Sequence, residues 1–73
     1  MKVNFSKLNW ELDQFCCDGF IVKSGFYSYY YEFCEDWLLP DYVSFEGKII
    51  PISEKESLKL RKVLRNNFLE VWL

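Results

Sequence analysis

The chain has 73 residues with a formal net charge of −2, 51% hydrophobic residues, 21% aromatic residues, three cysteines and no histidine. So short a chain is expected to fold as one compact domain spanning residues 1–73, and its bulky apolar content excludes intrinsic disorder. No apolar run exceeds three residues, against the roughly 20 needed for a bilayer-spanning helix, so no membrane segment is predicted.

The first sixteen residues predict a short N-terminal helix. Ser6 is placed to cap a helix from about Lys7 to Cys16, with Leu8, Leu12 and Phe15 on one side at spacings of four and three. Trp10 and Asp13 fall off that stripe, and an extended conformation over residues 8–15 is the alternative.

Residues 20–34 predict a β-hairpin: FIVK and FYSYYYEFC flank Ser24 and Gly25, and glycine supplies the positive φ a two-residue turn needs. With that loop Val22 faces Tyr27 and Phe20 faces Tyr29. Alternation then assigns Phe20, Val22, Tyr27, Tyr29, Tyr31 and Phe33 to one face, and Ile21, Lys23, Phe26, Ser28, Tyr30, Glu32 and Cys34 to the other. Residues 35–41 leave the sheet as a turn or loop stopped before Pro40. A second hairpin over 42–52 turns at Glu46 and Gly47, sets Val43 opposite Ile50, and confines the strand holding Pro51 to an edge.

The last element is a long helix over about 54–72. Ser53 and Glu56 have capping-box spacing, and neither proline nor glycine interrupts residues 54–72. Leu60, Leu64, Phe68 and Val71 form a stripe able to cover one sheet face, flanked by Leu58, Arg61, Arg65, Leu69 and Trp72. The fold class expected is therefore α+β, a small antiparallel sheet of two hairpins packed by a C-terminal helix.

Composition disfavours several chemistries. Lack of histidine removes the commonest general base and metal ligand, adjacent cysteines are poorly spaced for zinc, and three glycines cannot build a phosphate cradle. We expect no enzyme, no metal and no cofactor. Without an export segment, Cys16, Cys17 and Cys34 are expected to be free thiols in the cytoplasm, with a disulfide between Cys34 and one of the pair as the alternative.

Charge is uneven. Residues 1–47 carry eight acidic against three basic side chains, whereas residues 48–73 carry three against six. A nucleic-acid-binding protein using the basic helix (Lys55, Lys59, Arg61, Lys62, Arg65) and an acidic nucleic-acid mimic are the two minor readings. Stacking of bases on the tyrosine run is disfavoured, because alternation sends Tyr29 and Tyr31 inward.

The leading reading is a protein-interaction module, since three Trp, five Tyr and seven Phe exceed what one small core encloses. Its partner-binding residues are expected to be Arg61, Arg65, Leu69 and Trp72 on the last helix, with Phe26 and Tyr30 on the hairpin. Partners are another protein or a second copy, with nucleic acid disfavoured and no membrane. Absence of alanine and threonine, with abundant Phe, Tyr, Asn, Lys, Ile and Leu, reflects an AT-rich coding sequence. That points to a phage or other mobile element whose product inhibits a host enzyme or defence complex in the host cytoplasm.

Overall fold

The computed structural model describes residues 3–34 and 40–69, residue 69 by its backbone alone. Five antiparallel strands run in sequence order across one sheet: β1 Glu11–Cys16, β2 Gly19–Ser24, β3 Tyr27–Glu32, β4 Asp41–Phe45 and β5 Lys48–Ile52. The helix α1, Glu54–Leu64, covers one face and continues into a wider π-type turn, Arg65–Leu69. The α+β architecture is thus as expected, with a further strand at its beginning.

That strand replaces most of the predicted N-terminal helix, which is reduced to a single 3-10 turn at Phe5–Lys7. The three-residue spacing of Leu12 and Phe15 has a different origin. A register shift between Leu12 and Gln14 bulges β1 at Asp13, so Leu12 pairs with Val22 and Phe15 with Phe20 on the same face. One extra residue in a strand thereby imitates helical periodicity. Trp10, which lies off the predicted stripe, is buried and donates its Nε1–H to Phe5 O at 2.7 Å, closing the N-terminal turn.

The β2–β3 hairpin turns at Gly25 and Phe26, one residue later than expected. Gly25 has φ +62°, while Phe26 is not among the positive-φ residues, as a type II′ turn requires. Register follows the turn: Val22 pairs with Tyr29 and Phe20 with Tyr31, correcting the expected Tyr27 and Tyr29 partners. A two-residue slip preserves the faces, so Phe20, Val22, Tyr29 and Tyr31 still point to the core.

In the second hairpin Glu46 (φ +50°) and Gly47 (φ +83°) form the turn, Val43 pairs with Ile50, and Pro51 lies on the edge strand as predicted. Helix α1 begins where the sequence indicated: Ser53 Oγ accepts from the Glu56 amide at 3.2 Å, and the Ser57 amide donates to Ser53 O at 2.8 Å.

Leu60 and Leu64 come down from α1 onto Phe20, Val22, Tyr29, Tyr31, Val43 and Ile52, with Phe5 and Trp10 closing one end. Each such buried side chain contributes about 1.5–3 kcal/mol. Phe20 is the hub: its ring stacks on Tyr31 at 4.8 Å and meets Phe15, Phe33 and Phe68 at 5.8–6.0 Å. The expected turn or loop across 35–39 and the predicted helical residues 70–72 lie outside the described residues.

Candidate functional site

The helix and sheet are joined by a polar network. Tyr29 donates its hydroxyl to Asp41 Oδ2 at 2.6 Å, and the fully buried Ser57 hydroxyl donates to the same oxygen at 2.5 Å. Arg61, only 5% exposed, donates through Nη2 to Glu32 O at 2.8 Å and through Nη1 to Tyr29 Oη at 3.5 Å. Its guanidinium also lies 4.2 Å from the Tyr31 ring centroid, and Arg65 Nε donates to Tyr31 Oη at 3.2 Å. Burial pushes the Tyr29 hydroxyl pKa well above its usual value, and donation to Asp41 adds to that. No buried side-chain polar atom among the described residues lacks a partner. A cation held on all sides is a structural tie.

The sequence-derived contact residues therefore divide. Arg61 turns inward and is held by the sheet. Arg65 is exposed but tied to Tyr31, Leu69 ends the described chain, and Trp72 lies outside it. Phe26 stands 71% exposed at the β2–β3 tip, its ring edge-on to Phe45 at 6.3 Å. Tyr30 lies half-buried on the face away from α1, its hydroxyl donating to Asp18. That bond raises the Tyr30 hydroxyl pKa above its usual value. The ring lies against Gly19, where an added Cβ would come within 3.0 Å of Tyr30 Cε1.

The sheet face opposite α1 carries exposed apolar side chains. Register places Ile21 beside Tyr30, Ser28 beside Ser44, Ser44 beside Ile49 and Tyr42 beside Pro51 on it. Ile49 is 65% and Tyr42 47% exposed. An open depression of about 250 Å³ between the hairpin tips is lined by Lys23, Phe26, Ser28, Ser44 and Glu46. The face is chemically divided. Tyr42, Ile49 and Pro51 make its β4–β5 half largely apolar, whereas its β1–β3 half carries Glu11 and Asp13 at one end, with Lys23 3.6 Å from Asp13, and Asp18 and Glu32 at the other.

The exposed Tyr42 and Ile49 are not among the contact residues expected from sequence, because the last helix carries the arginines and a tryptophan, the residue types that favour interface centres. Their signal was present in alternation: with Val43 and Ile50 inside, Tyr42 and Ile49 must face out. Among the described residues, no three side chains of the metal-ligating types converge, and no helix is long and apolar enough to cross a membrane. Comparison with protein-family models, curated proteins and solved structures finds no match.

Proposed function

We propose that this chain is a protein-interaction module, with no catalysis of its own, which meets its partner through the sheet face opposite α1. The observation that carries this reading is the exposure of Ile49 and Tyr42 beside Pro51, on a face whose β1–β3 half carries four carboxylates. Apolar area flanked by mainly acidic charge fits a protein surface with an apolar centre and a basic margin. Phe26 and Tyr30 extend the contact along the β2–β3 hairpin. The AT-biased residue usage extends the proposal to a phage-encoded inhibitor whose partner is a host protein.

Nucleic-acid binding through α1 has weaker support. Arg61 is occupied inside the fold, and Glu54 and Glu56 interrupt the remaining positive charge on the helix.

The test compares Ile49→Asp with Lys59→Glu, a change on the outer side of α1. Both are immobilised and exposed to an extract of the source cells, with retained proteins identified by mass spectrometry. Retention of a protein by wild type and Lys59→Glu, with at least about a tenfold loss in Ile49→Asp, supports the sheet face. The opposite pattern places the contact on the helix, and equal retention by all three rejects both surfaces.

A further inference from the structure

We propose that the depression between the two hairpin tips receives an arginine side chain of the protein partner, an inference that rests on reading this sheet face as the contact surface. Register explains why the surface sinks there. Lys23, Ser28, Ser44 and Ile49 follow one another across β2, β3, β4 and β5 on the face away from α1. Two short serine side chains thus lie between longer neighbours. The Gly25-Phe26 and Glu46-Gly47 turns close one end, joined by the Glu46 amide donating to Phe26 O at 3.4 Å. The space, about 250 Å³, is below the roughly 300–1,000 Å³ of small-molecule pockets and fits one side chain.

Its chemistry favours a cation with several donors. The Ser28 and Ser44 side chains are half-buried, and neither hydroxyl has a hydrogen-bond partner among the described residues. The Glu46 carboxylate is exposed and makes no ion pair among those residues. Lys23, the cation at the rim, lies 3.6 Å from Asp13 and pairs in register with Glu11, so the local charge is negative. Lys48 falls on the α1 side, by alternation with Ile50 and Ile52.

A guanidinium meets these groups together. Its planar fork can donate to the serine oxygens and to Glu46 while its face stacks on Phe26, which is 71% exposed. An ammonium is a point charge with no plane to stack, and a phosphate would face the Glu46 carboxylate. Glu46 carries a second sign. Its φ of +50° is a conformation that glycine or asparagine adopts with less strain, and strain beside a depression is the pattern of a binding group.

Nα-acetyl-arginine methylamide would be titrated into the isotope-labelled protein while its amide shifts are followed by NMR. Shifts centred on Ser28, Ser44 and Glu46 are expected, with a dissociation constant of about 1–10 mM. Nα-acetyl-citrulline methylamide, which keeps the shape without the charge, should bind at least about fivefold more weakly. Glu46→Gln, which preserves the size of the turn residue, should weaken the arginine probe about three- to fivefold. Ser44→Leu should abolish its binding by filling the floor. Shifts centred elsewhere, equal binding of the citrulline probe, or tighter binding of O-phosphoserine would overturn the proposal. Its failure is distinct from that of the contact face. No arginine binding, with protein capture still lost in Ile49→Asp, overturns the pocket and keeps the face; arginine binding, with capture indifferent to Ile49→Asp, supports the pocket and rejects the face as the seat of the captured protein.

Discussion

Arg61 reaches from α1 across the sheet face to place its guanidinium 4.2 Å from the centre of the Tyr31 ring while donating to the Glu32 carbonyl. A buried cation so arranged is costly to desolvate but worse to disturb, because its partners are left facing an apolar space. Its planar fork serves a carbonyl, a hydroxyl and a ring together, which a lysine ammonium cannot do.

Arg61→Ala is therefore expected to lower the free energy of unfolding by about 3–5 kcal/mol, and Arg61→Lys to recover less than half of that. Arg61→Met should be milder, since it keeps the packed stem and needs no partner. Urea denaturation followed by tryptophan fluorescence measures all three.

The Tyr29 hydroxyl gives a pH signature. Its pKa is raised in the folded state, so the fold prefers the neutral phenol, and the associated stability is complete below the unfolded value of about 10. As pH rises beyond that value the unfolded chain releases its proton first, and stability falls. Tyr30, held by Asp18, adds in the same direction. Unfolding midpoints between about pH 8 and 11 should decline, and Tyr29→Phe should flatten the decline. At neutral pH that variant should be about 1–2 kcal/mol less stable, having lost its bond to Asp41.

At Gly19 a methyl group has no place. An added Cβ would lie 2.1 Å from the Tyr31 carbonyl oxygen and 3.1 Å from Glu32 Cα, both backbone atoms of the neighbouring strand. Gly19→Ala must separate β2 from β3, so a loss above about 3 kcal/mol, or failure to fold, is expected. Circular dichroism and thermal melting decide the matter, with Gly25→Ala as the comparison. Gly25 has nothing within 4 Å of an added Cβ, so that variant carries only the strain of a positive φ, about 1–2 kcal/mol, and should lose less than Gly19→Ala.

Much of this fold was legible where two sequence signals agreed. Ser53 with an unbroken apolar stripe specified α1, and Glu46-Gly47 between alternating strands specified the second hairpin down to Val43 opposite Ile50. Reading failed where one signal stood alone. Leu12 and Phe15 satisfied a helical spacing, and only the pairing of Phe15 with Phe20 and the bulge at Asp13 reveal a strand. The inward turn of Arg61 was hidden for a related reason. A helix wheel places it beside the apolar stripe, but its carbonyl and ring partners come from β3, and the sequence does not say which strand end lies beneath that turn. Alternation alone puts Tyr30 on the face opposite Tyr29 and Tyr31, as found, whereas Phe26 is exposed because the turn falls one residue later than the sequence indicates.

The Glu46-Gly47 turn retains a local conflict that one substitution should relieve. Both residues have positive φ, the requirement of a type I′ turn, and Glu46 is the one non-glycine residue among those described to adopt it. A glutamate there brings its Cβ toward the backbone carbonyl, at a cost of about 1 kcal/mol, whereas asparagine tolerates the region and leads the preferred Asn-Gly pair. The Glu46 side chain is exposed, so replacement removes no core packing. Glu46→Asn is expected to stabilise the protein by about 0.5–1 kcal/mol, raising the melting temperature by about 2–6 °C. Glu46→Val serves as the opposite case, because a β-branched residue is strained at positive φ, and it should lower the melting temperature. Should Val and Asn shift it equally, the turn is not under the backbone constraint that Glu46 and Gly47 impose.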